Sequence, residues 1–327
     1  MKTLITGSSG FLGEALMIRM RELGMEVIGT DILPGPQTDV VGDLRDRALV
    51  EQVMDGVSAV IHAATLHKPH IVTHSKEDFV GTNITGTLHL LEESVKLGVE
   101  AFLFTSTTST FGDAMAPKEG EPAVLVTEEL IPKSKNIYGV TKLAAEDLCQ
   151  IFHRNYGLPC LILRTSRFFR EEDDNPSLRG TYDDANIKVN ELLYRRADIE
   201  DIVESHLLAL DKAKHIGFSK YIISATSPFQ VEDLPMLNKD AAAVVRKYVP
   251  SFPEIFQQLN WQMFPNITRV YVNEKARREL NWKPKYDFAA ALNALVKGEP
   301  YQSPLTFQVA PKRYHDEKFS DGPYPVK

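Results

Sequence analysis

Two side chains near the middle of the sequence could together do proton-transfer chemistry. Tyr138 and Lys142 lie four residues apart at the start of a helical pattern that continues to about Tyr156, so they share one face of the predicted helix. A lysine close to a phenol favours the phenolate and lowers the pKa of the phenol. The spacing predicts Tyr138 as an acid/base near neutral pH. Taken alone, the pair has a default interpretation as an exposed tyrosine and a solvated lysine.

A run of hydroxyl side chains, Thr105 to Ser109, follows the apolar stretch Ala101–Phe104. That stretch predicts a buried strand, and ligands of α/β proteins bind beyond the carboxyl ends of such strands. Strand propensity and turn chemistry also favour hydroxyls at strand ends. Five successive hydroxyls exceed that need, so the run is a candidate part of the active site.

A strand, a glycine turn and a helix open the chain. The apolar Leu4-Ile5 predicts a short buried strand, and Glu14 to Leu23 has helical periodicity. This order aims a helix N-terminus at a phosphate. Glycines at these spacings permit the tight turn, the approach of pyrophosphate and the close packing of helix on strand. A chance glycine turn is the weaker interpretation of Gly7, Gly10 and Gly13.

The next predicted strand, Glu26–Thr30, ends at Asp31. A carboxylate about 20 residues after the glycines suits the ribose hydroxyls of NAD and would repel the extra phosphate of NADP. No lysine or arginine lies between Gly24 and Asp43 to counter it. The sequence therefore predicts NAD as the cofactor.

Basic side chains follow the third predicted strand, Val57–Ala64. Histidines at such spacings occur in metal sites, but no cysteine or nearby carboxylate completes a ligand set, and Pro69 interrupts any helix. We expect no metal, and a polar loop beside the active site formed by His67, Lys68, His70 and His74.

These elements continue as alternating strands and helices through a fifth strand, Cys160–Leu163. The alternation predicts an α/β fold with a Rossmann-type doubly wound parallel sheet. We assign residues 1–168 to an NAD-binding domain and 169–327 mainly to a smaller C-terminal α/β substrate-binding subdomain, whose strands can return to the main sheet. The Pro-rich tail from Ser303 onward is expected on the surface.

Composition narrows the function classes. The chain has 327 residues, a net charge of −7 and scattered basic residues, which argues against nucleic acid as a partner. No apolar run approaches the ~18 residues that a membrane span needs. Two isolated cysteines, Cys149 and Cys160, and an N-terminus that enters a strand at once predict a cytoplasmic protein without a signal peptide.

Taken together, these residues resemble the extended short-chain dehydrogenase/reductase family of the NAD-dependent epimerase/dehydratase type. The resemblance covers Lys2 to about Leu295, and the late segment Arg278–Pro284 is similar to the C-terminal signature of the family. The order and spacing of five motifs make it specific: Thr6-Gly7-x-x-Gly10-x-x-Gly13, Asp43-Leu44, His62-Ala63-Ala64, Asn83-x-x-Gly86-Thr87 and Tyr138-x-x-x-Lys142.

The resemblance implies a role for each matched residue. Tyr138 would be the acid/base, Lys142 would bind the nicotinamide ribose, and Thr107 would orient the alcohol. Asp43 and Leu44 would meet adenine. The other implied cofactor contacts are Gly7, Gly10, Phe11, Leu12, Gly13, Asp31, Ile32, Ala63, Ala64, Asn83, Thr105, Ser106, Thr165 and Ser166.

Departures from the family pattern bear on the substrate. Family dehydratases have acidic residues directly after the catalytic threonine, where this chain has Thr108 and Ser109. Sugar-nucleotide members usually have asparagine at the position of Arg167. Those members also have arginines that bind the diphosphate, and the arginines of this sequence do not fall at the same positions. Candidate substrate residues are His67, Thr107, Arg167 and Arg195.

We therefore predict an NAD-dependent oxidoreductase or epimerase that acts on a secondary alcohol of a sugar or a nucleotide-sugar derivative. A dehydrogenase or ketoreductase of another small alcohol remains open, as does a non-catalytic NAD-binding sensor or scaffold. The resemblance also implies a homodimer that pairs through the predicted helices Lys76–Leu97 and Tyr138–Tyr156.

Overall fold

A seven-stranded parallel sheet forms the centre of the computed structural model, which describes residues 1–312 and 319. In the described part of the chain, its strand order is β3-β2-β1-β4-β5-β7-β8, and a separate two-stranded parallel sheet pairs β6 with β9. The predicted fold class is confirmed. The strands are β1 (Thr3–Thr6), β2 (Val27–Asp31), β3 (Val40–Val41), β4 (Ala59–His62), β5 (Ala101–Thr107), β6 (Val124–Val126), β7 (Cys160–Thr165), β8 (Phe218–Ile223) and β9 (Arg269–Tyr271).

Helices cover both faces of the main sheet, as right-handed crossovers between parallel strands require. The helices are α1 (Phe11–Glu22), α2 (Arg47–Met54), α3 (Lys76–Val80), α4 (Gly86–Leu97), α5 (Ile137–Tyr156), α6 (Pro176–Thr181), α7 (Asp184–Glu191), α8 (Ile199–Ile216), α9 (Leu234–Leu237), α10 (Ala241–Tyr248), α11 (Phe252–Gln258), α12 (Glu274–Leu280), α13 (Phe288–Val296) and α14 (Pro304–Gln308).

Alternate residues of each strand enter different cores because successive side chains point to opposite faces of a sheet. Leu4 and Phe102 pack with side chains of α2, α4 and α5. Their neighbours Ile5 and Leu103 pack with α1, α8 and α12. Both faces are buried, so these strands read as continuous apolar runs in the sequence.

The strand order reverses between β1 and β4, which lie side by side. The glycine turn follows β1 and Ala63-Ala64 follows β4. In open α/β sheets, ligands bind in the crevice at such a switch point. The topology therefore places the predicted cofactor residues around one crevice.

A third apolar core belongs to the second half of the chain and joins α7, α10, α11 and α13 to the small sheet. The chain passes between the cores in both directions. β6 lies in the first 168 residues but pairs with β9, whereas β8 and α8 come after residue 168 and belong to the main sheet and its cover. The return of a strand to the main sheet was expected, but a single boundary at residue 168 stays a prediction.

Two local features differ from the sequence-based expectation. The helix expected from Lys76 to Leu97 contains a π-helical turn at Gly81–Thr85 between α3 and α4. The tail was expected on the surface, yet Leu305 and Val309 are 5% and 0% exposed. Their contact with the core of α1 and α8 explains why α14 forms. The rest of the predicted surface tail, from residue 313, lies outside the described residues apart from 319.

Candidate active site

The glycine turn between β1 and α1 has the close approaches that a dinucleotide-binding loop requires. Gly7 has a φ of +76°, in the left-handed region, and a Cβ there would lie 2.7 Å from the backbone nitrogen of Ala64. A Cβ on Gly13 would lie 1.9 Å from the carbonyl oxygen of Gly7. α1 can pack this closely on the turn only because both positions are glycine.

α1 points its N-terminus at the crevice. It starts directly after Gly10, and no side chain in the described part of the chain caps it through a hydrogen bond. The N–H groups of the first helical turn lack intrahelical partners, and the helix dipole favours an anion there. Phe11 and Leu12 bury their side chains, so they offer backbone to a ligand. This end of α1 suits a pyrophosphate.

Asp31 links the end of β2 to the glycine turn. Its carboxylate accepts the backbone N–H groups of Ser9 and Leu33, both at 2.9 Å. Burial raises the pKa of Asp31, and these two hydrogen bonds oppose that rise. The carboxylate is thereby fixed beside the phosphate turn. Its predicted contact with ribose hydroxyls remains a prediction.

A cation from the far end of the described chain lies near Asp31. Lys312 forms an ion pair with Glu14, in the first turn of α1, and its charge lowers the pKa of Asp31 against the effect of burial. Residues 24 to 43 contain no lysine or arginine, but the fold brings the cation Lys312 close to Asp31 from a distant part of the chain. No local sequence signal connects Lys312 to this site.

The predicted adenine contacts lie around the end of the sheet next to β2. Ile32, which follows Asp31, is 63% exposed, and Leu44 is 7% exposed. Asp43 accepts from the backbone N–H of Arg45 at 2.9 Å and from its Nε at 2.8 Å. Ala63 and Ala64 follow β4, and the Ala64 N–H donates to the hydroxyl of Thr6 at 3.1 Å. The exposed Ile32 side chain can offer an apolar contact to a planar ring.

Thr107, Tyr138 and Lys142 meet beyond the centre of the sheet. Tyr138 is 9% exposed, and the side chain of Thr107, the last residue of β5, is close enough to its phenol to lower the pKa of that phenol against the effect of burial. Lys142 lies one turn along α5, is 2% exposed, and donates from Nζ to the carbonyl oxygen of Thr105 at 2.7 Å. The structure thus brings the three predicted catalytic residues together.

The pKa values of this group differ from the expectation. Burial raises the pKa of Tyr138 to about 12, and the hydrogen bond with Thr107 opposes that rise only in part. Burial lowers the pKa of Lys142 to about 7, while Glu146 acts in the opposite direction. The predicted lowering of the phenol pKa by Lys142 is wrong for this structure, because both groups are desolvated and the ammonium donates to Thr105.

Asn83 supports the site from the π-helical turn. Its amide nitrogen donates to the Leu66 carbonyl oxygen at 2.9 Å and to the Thr141 hydroxyl at 3.0 Å. Its amide oxygen accepts from the Thr65 hydroxyl at 3.0 Å and from the Leu66 N–H at 2.8 Å. These bonds use the full hydrogen-bonding capacity of the amide. Asn83 therefore holds the loop after β4 against α5.

The hydroxyls predicted to line the cofactor have different partners. Thr105 bonds the buried His206 ring at 3.0 Å, and Ser106 donates to Glu146 at 2.6 Å. Thr165 donates to the Ser106 carbonyl oxygen at 3.0 Å. Ser166 is 3% exposed, and its hydroxyl has no hydrogen-bond partner among residues 1–312 and 319. Such an orphaned buried hydroxyl is rare and calls for an explanation.

NAD fits the residues present in this crevice. The glycine turn leaves room for backbone to approach a pyrophosphate, Asp31 can accept ribose hydroxyls, and the orphaned Ser166 hydroxyl can bond the nicotinamide amide. Each of these features lies where the sequence motifs placed the corresponding part of the dinucleotide.

Comparison with known proteins decides the family. The model of the NAD dependent epimerase/dehydratase family matches residues 3–218, which include every one of the predicted cofactor and catalytic residues. The chain belongs to this family. The five sequence motifs predicted this membership.

Individual relatives of this family member agree in fold and differ in reaction. A uronate dehydrogenase of Pseudomonas putida is 29% identical over 182 residues, which cover 51% of this chain and 61% of that protein. A putative UDP-glucose 4-epimerase of Methanocaldococcus jannaschii is 25% identical over 90% of this chain and 96% of that protein. A short-chain dehydrogenase/reductase superfamily protein from Agrobacterium tumefaciens, solved with bound NAD, has a TM-score of 0.65 at 21% identity and covers 90% of this chain and 95% of that chain.

The polar loop after β4 lies beside the three predicted catalytic residues of this epimerase/dehydratase-family chain. The His67 ring is 6.5 Å from the Tyr138 ring, and the His70 ring is 4.6 Å from His67. The His67 N–H donates to His70 Nδ1 at 3.0 Å, which fixes the start of this short turn. No group of three or more metal-ligating side chains occurs in the part of the chain that the structure describes.

Arg167, which follows β7, and Arg195 lie in one ion-pair cluster. Arg167 pairs with Glu191 and Asp174, each at 2.8 Å, and with Asp173. Arg195 pairs with Glu191 at 2.7 Å. The Glu191 carboxylate is fully buried, and burial opposes the lowering of its pKa that the surrounding arginines produce. Arg167 is thus held by three carboxylates of the chain itself.

A pocket of about 390 Å³ opens beyond this cluster. Tyr182, Tyr194 and Phe264 give it aromatic walls, and Arg195 and Arg269 also line it. The Nε atoms of both arginines are buried and lack a hydrogen-bond partner within residues 1–312 and 319. Arg195 was a candidate substrate residue from the sequence, but the aromatic residues were not, because Phe264 lies far along the chain from the Tyr182 and Tyr194 rings that it contacts. In the described residues, no helix is long and apolar enough to cross a membrane.

Proposed function

We propose that this protein is an NAD-dependent oxidoreductase that transfers hydride at a secondary alcohol of a sugar or sugar derivative. The observation that carries the proposal is the meeting of Thr107, Tyr138 and Lys142 at the carboxyl end of β5, where the Thr107 side chain is close enough to the phenol to lower its pKa. A scaffold protein would have no need to bury a lysine and a tyrosine side by side, because burying such groups costs free energy.

The proposed roles follow from this geometry. The substrate hydroxyl is oriented by Thr107, and the phenol oxygen of Tyr138 takes its proton as the carbon–hydrogen bond gives up hydride. When bound, NAD⁺ supplies the hydride acceptor. Because burial raises the pKa of Tyr138, the base form requires a cation near the phenol oxygen. Lys142 is on the same helix face, one turn away, and can take that role by leaving the Thr105 carbonyl.

A panel of free sugars, uronic acids and nucleotide sugars tests the reaction with the purified protein and NAD. Net formation of NADH identifies a dehydrogenase. Interconversion of two sugars without net NADH identifies an epimerase. The absence of both, with NAD bound, contradicts the proposed function.

A nucleotide-sugar substrate is a second candidate that one observation favours. The aromatic pocket near Arg195 and Arg269 has the size of a small-ligand site, and its two orphaned Nε donors suit an anionic group. A free sugar acid would leave this pocket unused. Arg269→Ala should therefore raise KM for a nucleotide sugar at least tenfold and leave KM for a free uronic acid unchanged.

We further propose that NAD is preferred to NADP, that the protein is cytoplasmic and that it forms a homodimer. Asp31 supports the cofactor preference, and the buried free thiols of Cys149 and Cys160 support a reducing compartment. Exposed apolar side chains on α4 and α5 support pairing, namely Leu97 (42%), Val140 (50%) and Ile151 (40%). No partner other than a sugar-like small molecule and a second copy is proposed.

A further inference from the structure

Glu146 is a fully buried carboxylate on α5, one turn beyond Lys142. It accepts from the Ser106 hydroxyl at 2.6 Å and from Arg164 through Nε at 3.0 Å and a terminal nitrogen at 2.7 Å. The Lys220 ammonium lies 3.2 Å away. Ser106, Arg164 and Lys220 belong to β5, β7 and β8, so a single carboxylate joins α5 to three neighbouring strands.

These partners are the immediate chain neighbours of the active-site residues. Ser106 precedes Thr107, and Arg164 precedes Thr165, whose hydroxyl donates back to the Ser106 carbonyl oxygen at 3.0 Å. A displacement of Glu146 would therefore shift Thr107 and the end of β7 relative to Tyr138.

The charge of Glu146 also acts on Lys142. Burial lowers the pKa of Lys142, and Glu146 is the larger of the two influences that oppose it, the other being Cys149 on the same helix. From β4, His62 faces the lysine and is itself held neutral, since burial lowers its pKa to about 3. From α8, His206 reaches the same strand through Thr105. Arg164 and Lys220 bind the far side of the carboxylate.

A buried ion pair is weak evidence for stability, because apolar side chains of similar volume often replace such a pair without loss. The position of this carboxylate, rather than its pairing, points to function. We propose that Glu146 is a positioning residue of the active site, which holds Thr107 in register with the Tyr138–Lys142 helix and places a negative charge one helical turn from the Lys142 side chain. The role of Glu146 in turnover rests on the proposed function, whereas its effect on NAD affinity can be measured without a substrate.

Glu146→Gln tests the inference through the affinity for NAD as a function of pH, measured by fluorescence quenching. The amide keeps the size and the bond with Ser106 but removes the charge. NAD affinity should decline with rising pH as Lys142 loses its proton, and the variant should show this decline about one pH unit lower. Between the two midpoints, NAD should bind up to about tenfold more weakly than to the wild type.

Asp147→Asn is the matched control, since this neighbouring carboxylate is 64% exposed and lies 4.0 Å from Lys220. Its pH profile should match the wild type. An unshifted profile in folded Glu146→Gln, or an equal shift in Asp147→Asn, overturns the inference.

Lys220→Met decides the question if Glu146→Gln does not fold, because Lys220 is on the edge strand β8 and 21% exposed. It removes a cation and leaves the Glu146 charge, so the decline in NAD affinity should move to higher pH. No movement, or movement to lower pH, overturns the inference. A shifted NAD profile in a protein that turns over no sugar would contradict the proposed function and leave the role of Glu146 intact.

Discussion

The ammonium of Lys142 donates to the carbonyl oxygen of Thr105 at 2.7 Å, two residues before Thr107 on the same strand. This bond joins the helix that carries Tyr138 to the strand that carries the threonine. The ammonium also lies 3.9 Å from the centroid of the Phe104 ring, an arrangement that stabilises a desolvated cation. The lysine thus lies one turn along α5 from Tyr138 and bonds to the strand rather than to the phenol.

Tyr138→Phe should separate catalysis from cofactor binding. The change removes one oxygen and leaves packing nearly unaltered, so turnover should fall by roughly 10²–10⁴-fold, the usual size of a general acid–base contribution. NAD affinity should change little. Tyr156→Phe, on the same helix and 61% exposed, should retain activity. Near wild-type turnover by Tyr138→Phe would contradict the mechanism.

Asp31→Asn should relax the choice between NAD and NADP. The amide can still accept one of the two backbone N–H groups, but it no longer repels a 2′-phosphate. The wild type should bind NAD at least tenfold more tightly than NADP, and the variant should lose most of that ratio. Titration of both dinucleotides by fluorescence quenching measures the ratio of the two affinities. Asp55→Asn, at the C-terminal end of α2, is the control. Equal or tighter binding of NADP by the wild type would refute the cofactor preference.

Acidification should destabilise the fold through two buried histidines. Burial lowers the pKa of His62 to about 3 and that of His206 to about 4, whereas an unfolded histidine titrates near 6.5. The unfolded chain therefore binds more protons below pH 6.5. The contribution of the two neutral histidine rings to the free energy of unfolding is fully present above pH 6.5. It is lost as the pH falls towards the pKa values of the folded state.

His206→Gln removes the contribution of one of these two histidines to the pH dependence of stability. Between pH 6 and 5, the free energy of unfolding of the wild type should fall more steeply than that of the variant, by about 1.4 kcal/mol per pH unit. Denaturant unfolding at both pH values measures the difference. Asp201 titrates in the opposite sense, since burial raises its pKa to about 7, but it contributes equally to both proteins. Parallel slopes would show that His206 is not neutral in the folded state.

A charge on the exposed apolar face of α4 and α5 should abolish self-association. Light scattering should report a dimer for the wild type at micromolar concentration and a monomer for the variant Leu97→Lys/Ile151→Lys, because desolvating two unpaired cations in an interface is costly. Val296→Lys changes a more exposed apolar residue, at the end of α13 (64%), and should leave the dimer intact. A wild type that is monomeric would refute the pairing.

The sequence alone was sufficient to predict the features that depend on residues close together in the chain. The four-residue spacing of Tyr138 and Lys142 places both on one helix face. The positive φ of Gly7 and the approach of Gly13 to the Gly7 carbonyl oxygen also arise within a single turn. Alternating strands and helices likewise predicted the parallel sheet. The strand that ends at Thr107 and the run of hydroxyl side chains could also be predicted, because each consists of residues that are adjacent in the chain.

Tertiary structure alone decided the features that depend on burial or on contacts between distant segments. Lys312 reaches Glu14 near Asp31, and β6 pairs with β9, although neither pair shares a local pattern. The phenol of Tyr138 has a raised pKa, not a lowered one, because desolvation depends on everything packed around it. The apolar Leu305 and Val309 are buried by α1 and α8. Sequence spacing specifies which groups can face each other along one element, whereas solvent exclusion and long-range charge are properties of the packed chain.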